Sequence, residues 1–208
     1  MNNLWLFGDS FTAGHGCTSG WEYYEKYHNE GDSLWGEIMA KELNLNLHNI
    51  GQNGSSNDKI IDEIINNWES IKKDDVVIIG VSYHHRYDVP KKDDLISIFW
   101  DWGKLSPKDN YEFYSEEEKE TILNFQYYFS GSVLYKERQY KRINFLKDRL
   151  SERNVKVIIW NVEIDIKGIH TIREATKKEI KDGHFSFLGH KQFAKKMLSN
   201  HFFIGGLI

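Results

Sequence analysis

A single cysteine, Cys17, among 208 residues rules out an intrachain disulfide. With it go the disulfide-stapled scaffolds of small secreted domains, and a reducing compartment is the natural setting. Only two prolines are present, Pro90 and Pro107, and there is no low-complexity tract. Both facts argue against a long disordered linker. Positive charge is not in excess: 27 Lys and Arg stand against 31 Asp and Glu, a formal net charge of −4. No global basic field therefore draws in nucleic acid. No apolar run approaches the roughly 20 residues that span a bilayer, so no membrane partner is expected. Met1-Asn2-Asn3 lacks the positive start of a signal peptide, and a cytoplasmic location is expected. Phosphate-binding and metal motifs are missing too. There is no Gly-x-x-x-x-Gly-Lys-Ser/Thr loop. Gly14-His15-Gly16 has no third glycine at dinucleotide-fingerprint spacing, and the nine histidines include no His-Glu-x-x-His. A lone cysteine speaks against a structural zinc site, so neither metal nor organic cofactor is expected.

What is present is an ordinary globular composition, 40% hydrophobic and 28% charged, of a length that suits one domain. Short apolar runs at Leu4–Phe7, Leu45–Ile50, Val76–Ile79 and Val155–Trp160 read as strands. Helical periodicity falls between and after them. Ser33–Leu43 carries Leu34, Ile38 and Leu43. Asn57–Ile71 carries Ile60, Ile61, Ile64, Ile65 and Trp68. Leu134–Arg153 carries Ile143, Leu146 and Leu150, with its many lysines on a solvated face. Ser186 caps a last helix whose His190, Phe193, Ala194, Met197, Leu198 and His201 share a face. Alternating strands and helices imply βαβ units and a parallel sheet, with ligands at the carboxyl ends of the strands. Residues 90–131 break this rhythm. They are dense in aromatics, and Ser115-Glu116-Glu117-Glu118 reads as a capping box that starts a helix. They form an insertion in a single 1–208 domain, either a satellite core or oligomer contact, or a lid or wall for substrate, sugar rings included.

Four stretches carry chemistry. The first strand ends in Phe7-Gly8-Asp9-Ser10-Phe11-Thr12-Ala13-Gly14, which delivers a hydroxyl to a sheet edge at the start of a helical turn. The plain alternative makes Ser10 a simple helix cap. Asn49-Ile50-Gly51-Gln52-Asn53-Gly54-Ser55-Ser56 follows the second strand, and Gly80-Val81-Ser82-Tyr83-His84-His85-Arg86 the third. Asp182-Gly183-His184-Phe185-Ser186-Phe187-Leu188-Gly189-His190 precedes the last helix. Gly31-Asp32-Ser33-Leu34 imitates the first stretch, but no apolar strand precedes it, and helix capping accounts for Ser33.

In this order the four stretches resemble the motif blocks of the SGNH hydrolases, the GDSL esterase/lipase family. The resemblance spans nearly the whole chain. It implies a flavodoxin-like three-layer α/β/α sandwich around a mostly parallel sheet of about five strands. It also implies a nucleophilic Ser10, a base His184 and an orienting acid Asp182. The backbone N–H groups of Ser10 and Gly54 would form the oxyanion hole. Two departures stand out. Ser82 occupies the place of the family's oxyanion asparagine, with a shorter reach, and His84 or Arg86 is available to supply the missing positive character. The acid lies two residues before the histidine instead of three, with Glu163 and Asp165 as fallback acids. Asp9, His84 and Arg86 are candidate substrate contacts.

The expected activity is hydrolysis of small acyl esters, acetyl esters of carbohydrate among them, through an acyl-enzyme. Its partner is a small-molecule or glycan ester. The alternative, motivated by the altered third block, is a weak or inactive binding protein for glycan or a protein partner. A phage-encoded, virion-associated protein is compatible with either.

Overall fold

The computed structural model describes residues 1–84, 86–91, 94–101, 104, 105, 115, 120 and 133–202. Its central strand is β1 (Asn3–Phe7), bonded in parallel to β2 (Asn46–Asn49) on one side and β3 (Val76–Val81) on the other. A strand late in the chain, Lys156–Asn161, pairs in parallel with β3 and completes the order second–first–third–last. Among the described residues this sheet has four strands, against the expected five or so. The reason for the layering lies in the two-residue period of a strand. On β1, Leu4 and Leu6 face one layer of helices, while Trp5 and Phe7 face the other.

The first layer contains α3 (Trp35–Leu43) and the C-terminal helix Phe187–His201. It buries Trp35, Met39, Phe193, Ala194 and Met197 against Leu4, Leu6, Ile78 and Trp160. The second contains α4 (Asn57–Asn66) and α5 (Val133–Glu152). It buries Ile60, Ile61, Ile64, Ile143, Leu146 and Leu150 against Trp5, Phe7, Val77 and Ile79. Every residue of β3 is buried, as its β-branched run requires of a strand covered on both faces.

Several helical faces turn relative to expectation. In α3 the buried stripe is Trp35, Gly36, Met39 and Ala40, whereas Leu34, Ile38 and Leu43 are only partly buried at its flanks. Trp35 replaces leucine at the core because its indole N–H donates to the carbonyl of Phe11 at 3.0 Å. Ser33 lies one residue too early to cap. Leu34 holds the cap position, and its N–H donates to Glu37 at 2.7 Å. In α4 (Asn57–Asn66) Ile65 lies off the buried stripe of Ile60, Ile61 and Ile64 and is half exposed, and His201 at the end of the last helix is exposed.

From Arg86 the chain forms an antiparallel ribbon of β4 (Arg86–Lys91), β5 (Asp94–Asp101) and β6 (Lys104–Leu105). Most of the aromatic stretch expected as an insertion lies outside the described residues, as do Glu116, Glu117 and Glu118 of the expected capping box, whereas Ser115 is described and exposed. Next come β7 (Lys156–Asn161), the short α6 (Val162–Asp165) and α7 (Ile172–Ala175), and then α8 (Phe187–His201). The first two helices are α1 (Ser10–Ala13) and α2 (Glu22–Tyr27). Among the described residues no helix is long and apolar enough to cross a membrane.

Candidate active site

The site is built at the carboxyl ends of β1, β2 and β3. Three glycines there, Gly8, Gly51 and Gly80, surround Thr12 so closely that a Cβ at any of them would come within 3.0 Å of a Thr12 side-chain atom. The absence of three side chains lets α1 settle directly on the strand ends. Asp9, not Ser10, is the N-cap of α1: its Oδ1 accepts the N–H of Phe11 at 3.1 Å. Ser10 is therefore the first residue of the turn, which sets its N–H at the positive end of a helical turn. A left-handed Gly14 closes the turn.

Ser10 meets the other end of the chain. Its Oγ is 2.7 Å from Nε2 of His184, and Nδ1 of the same ring is 2.6 Å from Oδ1 of Asp182. Asp182 Oδ1 also accepts the backbone N–H of His184 at 2.8 Å. The shortened spacing in the sequence is thus absorbed by a tight turn in which one carboxylate oxygen receives both groups of the same residue. The His184 ring packs on Phe11, with centroids 4.6 Å apart. The loop carrying it is pinned by two backbone bonds, from Ile172 to the carbonyl of His184 and from Arg173 to the carbonyl of Asp182, each 2.8 Å. Burial pushes the Asp182 carboxyl up. Hydrogen bonds from the His15 and His184 side chains and the His184 backbone outweigh that and hold it well below the usual carboxylate range.

The fallback acids lie elsewhere. Glu163 faces Nδ1 of His84 at 2.8 Å and the amino group of Lys136 at 3.6 Å. Asp165 accepts from the backbone of Asn161 and from Lys196.

The third block departs from expectation in a definite way. Asp9 is fully buried. Its Oδ2 accepts the Ser82 hydroxyl at 2.8 Å and the Arg86 guanidinium at 3.0 Å. Arg86 also donates to Ser82 Oγ at 2.9 Å and to the carbonyl of Ser55 at 3.2 Å. A hydroxyl has one proton, and that of Ser82 is committed to Asp9, so none is left for an oxyanion. Asp9, with no exposed surface, is not a substrate contact, and Arg86 is turned inward to hold it. Asn57 braces the same corner, donating to the Ser82 carbonyl at 3.0 Å and accepting the Ser82 N–H at 2.8 Å. Gly54 is exposed, at φ +78, in the turn after β2.

Two residues of this neighbourhood were not legible in the sequence. Asn57 looked only like a helix start, and nothing in its spacing signalled a backbone brace. His15 looked only like the middle of a failed glycine fingerprint. It stands 3.4 Å from Asp182 Oδ2 through Nε2, with its ring 4.4 Å from that of His184. Its place directly after Ala13-Gly14 was the available signal.

The fold and the site define an α/β protein in which a strand-end serine, a histidine and an aspartate stand in one hydrogen-bonded line. No protein-family model matches the chain, and no curated protein matches it. Among solved structures it is similar to a lipolytic protein of the G-D-S-L family from Veillonella parvula: 17% identity, 98% of this chain and 100% of the other covered, TM-score 0.40. It is also similar to a carbohydrate esterase, at 16% identity over 99% of this chain and 69% of the other, TM-score 0.45. An acetyl xylan esterase from Geobacillus stearothermophilus gives 14% identity over 100% and 97%, TM-score 0.39. At these identities and scores the functional reading rests on the residues themselves.

Proposed function

We propose that the chain is an SGNH-type serine ester hydrolase acting on small acyl esters, acetyl esters of carbohydrate in particular. One observation carries this reading: Ser10 Oγ, His184 and Asp182 are linked by bonds of 2.7 and 2.6 Å although Ser10 and His184 are 174 positions apart. In the reaction His184 Nε2 takes the Ser10 proton as Oγ attacks the ester carbonyl. The imidazolium then returns that proton to the leaving alcohol, and a water-derived hydroxyl releases the acyl group by the reverse sequence. Asp182 holds the imidazole in the tautomer with Nδ1–H and stabilises its charged form. The backbone N–H groups of Ser10 and Gly54 stabilise the oxyanion. The aromatic stretch 99–129 supports a sugar as the alcohol part. The presence of a single cysteine supports a reducing, cytoplasmic setting.

A second reading, a glycan- or protein-binding molecule with little turnover, is favoured by one observation: Ser82 cannot replace the missing oxyanion donor. Losing one such donor costs about 10²–10³ in rate. Intact-mass labelling with a fluorophosphonate probe separates the two. The hydrolase reading expects one adduct on the native chain and none on Ser10→Ala. Absence of an adduct on the native chain would overturn it in favour of the binding reading.

A further inference from the structure

A second imidazole at the Asp182 carboxylate has no part in the chemistry above. His15 lies just beyond α1, its ring between Trp21, with centroids 4.0 Å apart, and His184. Its Nε2 faces Asp182 Oδ2 at 3.4 Å. A charge-assisted hydrogen bond closes to about 2.7–2.9 Å, and this contact is longer, at 3.4 Å. The gap matches instead the ligand-to-ligand edge of a tetrahedral zinc site, about 3.3 Å for bonds of about 2.0–2.1 Å. One ligand atom each from His15, Asp182 and His184 lies within 4.8 Å of the others. All three side chains keep about a fifth of their surface in contact with solvent, so an ion reaches them without unfolding. Two imidazoles and one carboxylate form a donor set suited to zinc, with water as a fourth ligand.

We propose that His15, Asp182 and His184 form a binding site for a borderline divalent cation of the Zn²⁺ type, and that occupancy switches the serine off. The switch follows from the histidine tautomer. Without metal, His184 Nδ1 carries a proton toward Asp182 and the Nε2 lone pair faces Ser10. A metal bond at Nδ1 needs the electron pair that the proton on that nitrogen occupies. The Nδ1 proton leaves to solvent, and Nε2 takes one up. The ring then donates to Ser10 Oγ and can no longer accept its proton. The inhibitory half of the proposal rests on the hydrolase reading, whereas the site itself does not.

Calorimetric titration with Zn²⁺, and visible absorption of added Co²⁺, test the site without any turnover. One ion per chain is expected on the native chain and on Ser10→Ala, with affinity lowered in His15→Gln by at least the roughly tenfold that even outer-shell changes bring. Zn²⁺ should also block fluorophosphonate labelling of the native chain, reversibly with chelator, while any labelling that His15→Gln retains is insensitive to zinc. Should that variant fold poorly, the histidine ring NMR signals of the native chain decide: His15 and His184 must shift together on adding Zn²⁺. Binding unchanged in His15→Gln, no binding at micromolar ion, or ring shifts confined to other histidines would overturn the site. Tight binding without effect on labelling would overturn the switch. A native chain that never labels would refute the hydrolase reading and leave the titration intact as a measure of the site.

Discussion

Asp9 accepts hydrogen bonds from Phe11 N, Ser82 Oγ and Arg86 Nη1 while fully enclosed by protein. Its charge is tolerable only because Arg86 lies against it, and removing one partner of such a buried pair typically costs about 3–5 kcal/mol. Arg86→Met should lower the unfolding free energy by about that amount in urea, and adding Asp9→Asn should recover part of the loss, since a neutral amide no longer needs the cation. For the other aspartate the expected effect is on rate. Asp182→Asn should keep the fold, because an amide oxygen can still accept the His184 backbone N–H. It should lower kcat by about 10⁴ on an aryl acetate, because the wrong imidazole tautomer faces Ser10. Ser10, His184 and Asp182 were named from the sequence through the resemblance of their motif blocks, and hydrogen bonds join the three. The partners of Ser82 were not legible, because Asp9, Arg86 and Asn57 meet only when separate strand ends converge, and no spacing rule connects them.

The elements that converge do so through close approach. Gly80 lies near the carboxyl end of β3, where the Trp160 ring of β7 and the Thr12 side chain crowd it. A Cβ there would stand 2.7 Å from the ring and 2.9 Å from Thr12 Oγ1. Gly80→Ala should therefore destabilise by about 1–3 kcal/mol, the usual range for overpacking. It should also slow fluorophosphonate labelling more than a comparably destabilising change in α5, because the displaced element is α1. Strands β1, β3 and β7 were readable because their β-branched and aromatic runs match buried parallel strands, whereas the edge strand β2, Asn-Leu-His-Asn, has no fully buried residue. The stripe of α3 was not readable, since leucine periodicity could not foresee that an indole would be drawn inward by the carbonyl of Phe11. Nor did the periodicity of α4 mark its end at Asn66. There the Asn67 side chain turns back to the carbonyl of Glu63 at 2.8 Å and stops the helix despite the apolar residues beyond.

Across the whole molecule, stability is tied to pH through His190. Its ring is buried between α8 and α3, with Nδ1 accepting the N–H of Trp35 at 3.2 Å. Burial, and then the charge of nearby His184, push its pKa down from 6.5 to about 3. The unfolded chain takes up a proton at this ring near pH 6.5, whereas the folded chain does so only near pH 3. Stability is thus fully present above that window and falls as pH drops through it, by about 1.4 kcal/mol per unit from this residue alone. Urea unfolding at pH 7 and pH 5 checks this: His190→Asn, which keeps an acceptor for Trp35, should lose less stability between the two than the native chain. The long separation of Ser10 from His184 has a consequence of another kind. A ribosome adds about 5–20 residues each second, so Ser10 emerges many seconds before His184 exists. Until His184 is made, the growing chain carries Ser10 with no imidazole beside it, so the hydrogen-bonded line of Ser10, His184 and Asp182 closes only late in synthesis.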